Sequence, residues 1–108
     1  ITLMADLNAG ATGTMPSALL PDLLKTLVAA HRVNDIKEAA EQYARLLPLI
    51  NFENRQCGLR ACKTVFKEGG VIASDHVRHP MPQLAPETRK QLLDLAAPLN
   101  PVALHWGR

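Results

Sequence analysis

The sequence predicts a mostly α-helical chain that carries one piece of an α/β repeat. Three observations predict it. Five stretches place apolar residues at helical spacing. One short run, Thr12 to Met15, has strand character and hands over to a helix within AGATGTMPSALLPD. No second strand-like run occurs in the 108 residues. A strand alone cannot satisfy its backbone N–H and C=O groups. The partners of Thr12–Met15 are therefore expected in another chain or in sequence outside this one.

The first helix is expected over Thr2 to Ala9, with Leu3, Met4 and Leu7 on one side. Gly10 is placed to take a left-handed conformation after it. The chain opens mid-pattern, with no initiator Met and without the basic, apolar, small-residue order of a secretory signal. After the strand, Pro16 breaks the extended run. Pro21 suits the first position of a second helix, where its missing N–H would have had no intrahelical partner. Leu20, Leu23, Leu24, Leu27 and Ala30 give that helix its apolar stripe.

Asn34 reads as the N-cap of a third helix, with Asp35 favourable to the dipole in its first turn. Ile36, Ala39, Ala40, Tyr43, Leu46, Leu47 and Ile50 form the cleanest amphipathic face in the chain. Pro48 is expected to kink or end it. A fourth helix is expected from Arg55 to Lys67, turning Leu59, Cys62, Val65 and Phe66 inward, until Gly69 and Gly70 stop it. The proline-rich segment VIASDHVRHPMPQLAP reads as loop. Pro86 opens a fifth helix through Ala97, burying Leu92, Leu93 and Ala96, and PVALHWGR reads as a tail.

Composition narrows the function classes. Aromatic residues make up only 4%, so Leu, Ala, Val and Ile must build the core. The net charge of +2 is small, and Glu53 and Glu68 flank the basic residues Arg55, Arg60, Lys63 and Lys67. That pattern describes solvated helix faces and argues against nucleic acid. No apolar run approaches the roughly 18 residues of a membrane span. Cys57 and Cys62 would stand about 140° apart on a helix, which fits neither a disulfide nor zinc. They read as small buried or half-buried residues in a reducing cytoplasm. His76 and His79 beside Asp75 have ligand-compatible spacing, yet read as structural, and no metal is expected. Arg78 is expected to anchor the loop by hydrogen bonds to carbonyls.

The run GATGTMPSALLPDLL, then AAEQYARLLPLI, then KEGGVIASDHVRHPMPQL, resembles the C-terminal third of the dihydrodipicolinate synthase and N-acetylneuraminate lyase superfamily. The order carries the resemblance: G-x-x-G before the last barrel strand, A-x-x-x-Y-x-x-L-L-P-L on a helix, Lys63 and Lys67 before the Gly pair, and Arg78 to Pro80. Within the superfamily, NFENRQCGLRACKTVFKEGGVIASDHVRHP is most similar to 2-keto-3-deoxy-L-arabonate dehydratases of pentose catabolism. The resemblance implies the last strand and helix of a (β/α)8 TIM barrel plus a helical C-terminal extension. Residues 1–33 would hold the seventh barrel helix, the eighth strand and the eighth helix, and residues 34–108 the extension. The neighbours of the eighth strand would then lie upstream of Ile1.

The family reaction runs through a Lys Schiff base with a 2-keto acid, a Tyr acting as proton shuttle, and no added cofactor. The Lys must be a neutral amine, obtained by burial in the barrel mouth. The segments bearing that Lys and Tyr are not in this sequence. Lys25, Lys37, Lys63, Lys67 and Lys90 all fall on predicted helices, and Tyr43 belongs to an apolar stripe. No catalytic residue is expected here, and the chain alone is expected to be inactive. TIM-barrel chemistry sits at the C-terminal ends of strands, so Gly13, Thr14 and Met15 are expected to line the substrate pocket, with Pro16 and Ser17 beside them.

The expected partners are a 2-keto acid with a pyruvate-like moiety, the remaining barrel, and further copies in a homo-oligomer. A 2-keto acid aldolase or a dihydrodipicolinate synthase-like enzyme would share the same C-terminal frame. A different reading keeps the chain as a non-catalytic helical interaction or oligomerisation module, with Thr12–Met15 a mere extended linker.

Overall fold

The computed structural model describes all 108 residues and contains five α-helices and no β-strand. They are α1 (Leu3–Asn8), α2 (Pro21–Arg32), α3 (Ile36–Phe52), α4 (Leu59–Glu68) and α5 (Pro86–Ala96). A π-helical segment, Glu53–Cys57, joins α3 to α4, and short 3-10 turns cover Ala97–Leu99 and Val102–Leu104. The long α3 is the central strut, contacting α1, α2, α5 and the π segment. One apolar cluster joins all five helices, with Leu19, Leu27, Leu46, Leu92 and Val65 fully enclosed. Each enclosed leucine contributes about 1.5–3 kcal/mol relative to an exposed one. A leucine-rich core is what the scarcity of aromatics dictates. No helix is long and apolar enough to cross a membrane.

Thr12–Met15 does not form the expected strand. It has no ladder, its amides donate to no backbone carbonyl, and every residue from Ala11 to Ala18 is exposed. The physical reason is the one that made the run informative: extended backbone needs a neighbouring strand, and this chain supplies none. What tethers the segment is side-chain chemistry. Arg32 Nη2 donates to the Thr12 carbonyl oxygen at 2.8 Å, and the Leu19 amide donates to Ser17 Oγ at 3.3 Å.

Gly10 does take a left-handed conformation (φ +106°), and Pro21 does begin α2. The α2–α3 junction differs by one residue from expectation. Asn34 is left-handed (φ 61°), with its amide donating to His31 and the Asp35 amide to Ala30. It therefore closes α2, and Asp35 caps α3 by accepting from the Glu38 amide at 3.2 Å. Asn suits both positions, so the sequence pattern does not separate them. Pro48 does not end α3, because the bond it removes would have gone to Ala44 on the exposed face, where water can replace it.

The largest boundary difference lies at α4. Arg55 belongs to the π segment, which continues from α3 and closes with the Gly58 amide donating to Glu53 O at 2.6 Å. Gly58 then takes φ 60° and ψ −143°, a conformation open in practice only to glycine. The restart shifts the helical phase. Ala61, Thr64 and Val65 are buried, Cys57 is enclosed before the break, and Leu59 is 61% exposed instead of inward. On α3 the buried residues are Ala39, Leu46 and Leu49, whereas Ile36 and Ala40 face solvent.

The proline-rich loop is held by α4. Arg60 Nη1 donates to Pro82 O at 3.0 Å, Lys63 Nζ to His76 O at 2.7 Å, and Lys67 pairs with Asp75 at 3.4 Å. The expected anchor, Arg78, makes no side-chain hydrogen bond and is exposed, because it lies on the loop's outer side. The basic face of α4 is therefore engaged with the loop and not simply solvated. The expected tail folds back as the second 3-10 turn and packs against the end of α4.

Candidate functional site

The segment expected to line a pocket forms a wall between two clefts. The larger, about 650 Å³, lies between Thr14–Ala18 on one side and Glu53, Asn54, Leu59 and Cys62 on the other. Its floor is apolar, made by Leu3, Leu20, Leu24 and Ile50. The second, about 560 Å³, lies between Gly13, Thr14 and Pro16 and the Lys25–Arg32 face of α2. The segment stands where it does because Leu19 and Leu20, 0% and 2% exposed, sink into the core and fix its end.

Glu53 gives the larger cleft its electrostatic character. Burial pushes its carboxyl above the ordinary value of 4.5, and the neighbouring Ser17 hydroxyl pulls it part of the way back. The thiol of Cys62 is also pushed up, mainly by burial and further by Glu53, against a lowering contribution from the Ala18 backbone. Burial likewise raises Cys57, with Arg60 opposing and Glu53 adding. Both thiols are free. A raised thiol is the opposite of an activated nucleophile. The cleft thus sets a half-buried carboxyl, raised by burial, over an apolar floor.

Of the residues singled out in the sequence, Thr14 and Met15 face the larger cleft, Gly13 and Thr14 the second, and Pro16 borders both. Met15 is 98% exposed, so nothing in this chain covers it. Lys25, Lys37, Lys63, Lys67 and Lys90 all lie on helices, and among them only Lys25 borders either cleft. Tyr43 is half-buried against the core. His76 and His79 do not converge with a third ligand, and no three side chains of metal-binding type cluster anywhere. Sequence reasoning missed Glu53 and Asn54 as cleft residues. Helical periodicity gives no sign of a π segment, and the π segment is what places them there.

These features define a helical assembly that carries one exposed, unpaired segment, with clefts on both of its sides. The chain belongs to the dihydrodipicolinate synthetase family, whose sequence model matches residues 2–98. It is also 49% identical over 107 residues to the L-2-keto-3-deoxyarabonate dehydratase of Azospirillum brasilense. That match covers 99% of this chain and 35% of the relative, so the chain spans about a third of the length of the curated protein it matches.

Proposed function

We propose that this chain is the C-terminal portion of a class I lyase that forms a Schiff base with 2-keto acids, acting as a 2-keto-3-deoxy-L-arabonate dehydratase. The observation that carries the reading is the 49% identity to a protein named as that dehydratase, sustained over nearly the whole chain. The unpaired amides of Thr12–Met15 support it, being what an eighth barrel strand would offer to its neighbours. On this reading residues 1–33 complete the barrel and residues 34–108 form the extension. Gly13, Thr14 and Met15 line the substrate pocket, and the imine-forming Lys and its Tyr belong to the remaining two-thirds of the enzyme. The reaction needs no added cofactor, the enzyme is cytoplasmic, and the extension takes part in a homo-oligomer.

A non-catalytic helical module is the second reading. A specific observation favours it: one closed apolar core already joins α1 through α5 without any missing segment.

One chimera separates the two. The C-terminal third of the Azospirillum brasilense relative is replaced by these 108 residues and assayed with 2-keto-3-deoxy-L-arabonate. The lyase reading expects α-ketoglutaric semialdehyde to form, and a borohydride-trapped pyruvate adduct on the chimera but none on the 108-residue chain alone. A folded chimera without activity overturns it, and an adduct on the chain alone overturns the claim that its catalytic groups lie elsewhere.

A further inference from the structure

We infer that Pro101–Arg108 is a strap that fixes the wall of the larger cleft, and that Asp22 is the positioning residue through which it acts. The near end of the strap is tied at the first turn of α2. Asp22 Oδ2 accepts from the Val102 amide at 3.0 Å, while Oδ1 is buried with no partner. The bond to Val102 is the one hydrogen bond this half-buried carboxylate makes, so it ties the side chain to the strap. Pro101 is fully enclosed and Ala103 is 1% exposed, so this end is seated in the core.

The far end is tied to the last turn of α4. The Gly107 amide donates to Gly69 O at 2.9 Å, and the Arg108 guanidinium donates twice to Glu68 O, from Nε at 3.2 Å and Nη2 at 2.6 Å. The backbones meet so closely that a Cβ on Gly69 would lie 2.0 Å from Ala103 O. A Cβ on Gly107 would lie 2.1 Å from the carbonyl atoms of Gly70. The strap thus bridges the start of α2 and the end of α4.

The cleft wall, Thr14–Ala18, is tied at its front through Arg32 on Thr12 and Ala11 on Asp6. At its rear it enters the core through Leu19 and Leu20, directly ahead of α2, so the position of its rear follows from where α2 begins. Holding Asp22 holds that point. The inference goes beyond the lyase reading and does not depend on it, since it concerns only contacts within these residues.

Residue-resolved hydrogen exchange on the 108 residues tests it, comparing Asp22→Ala, Asp22→Asn and Gly107→Ala. Removing the acceptor of a largely buried amide corresponds to opening faster by on the order of tenfold. Exchange at the Leu19 and Leu24 amides is expected to rise by about that factor in Asp22→Ala and Gly107→Ala, with the Leu46–Ile50 amides of α3 unchanged. Asp22→Asn, which keeps a carbonyl oxygen for Val102 but loses the charge, is expected to stay near wild type. Equal acceleration at all amides, no change at Leu19 and Leu24, or Asp22→Asn behaving like Asp22→Ala would each overturn the inference. The last result would assign the effect to the charge at the helix N-terminus. If Gly107→Ala does not fold, the two Asp22 variants decide the matter alone.

Discussion

Arg32, in the last turn of α2, donates from Nη2 to the Thr12 carbonyl oxygen at 2.8 Å. A side chain twenty residues away thereby satisfies a backbone acceptor on an otherwise unpaired segment. Arg32→Ala should release the front of the Ala11–Ser17 segment while leaving the core intact. Limited proteolysis should then cut within Ala11–Ser17 several-fold faster, with the melting temperature within about 3 °C of wild type. Unchanged cleavage would mean that the segment is held by something else.

Arg60 and Arg78 offer a contrast between observed and expected anchors. Arg60 donates to Cys57 O at 2.9 Å and to Pro82 O at 3.0 Å, while Arg78 makes no such bond. Arg60→Ala should cost about 1–2 kcal/mol in urea unfolding, and Arg78→Ala less than about 0.5 kcal/mol. Equal effects would show that the loop is anchored elsewhere.

Burial holds the Glu53 carboxyl above 4.5, with Ser17 partly offsetting it. The folded state thus binds this proton more tightly than the unfolded chain does. Ionisation opposes folding, so stability from this group is greatest below the unfolded value and falls as pH rises through the higher folded value. Glu53→Gln should be more stable than wild type at about pH 8 and level with it at about pH 4. A variant less stable than wild type at the higher pH would mean that the ionised carboxylate has a stabilising partner.

Two glycines separate close approach from open space. A Cβ at Gly69 would lie 2.0 Å from the Ala103 carbonyl oxygen, whereas one at Gly13 would meet nothing within 4 Å. Gly69→Ala should destabilise by at least about 2 kcal/mol, since backbone must move. Gly13→Ala should change stability by less than about 0.5 kcal/mol. Thermal unfolding of the two variants checks both values.

Much of this architecture could be read directly from residue order. Apolar spacing located all five helices, Pro21 and Pro86 marked two of their starts, and Gly69–Gly70 marked the end of α4. The errors share one origin. Asn34 and Asp35 are both competent caps, Pro48 could be tolerated or disruptive, and Leu59 looked inward only while the helix was taken as unbroken from Arg55. Each depended on how one turn meets the next. At the cleft, Gly13, Thr14 and Met15 were singled out through the family resemblance, whereas Glu53 was not, because its place depends on the π segment.

What the sequence alone determined is local and compositional: which stretches coil, what kind of residue fills the core, and which family motifs appear in order. Those signals act within about a turn of helix, between residues that are neighbours in the chain. Only the tertiary structure decided that Arg60 reaches Pro82 across 22 residues, that Asp22 meets Val102 across 80, and that Arg32 holds Thr12 across 20. Burial, close backbone approach and a shifted carboxyl are properties of surfaces meeting. They come into existence only when distant parts of the chain are brought together.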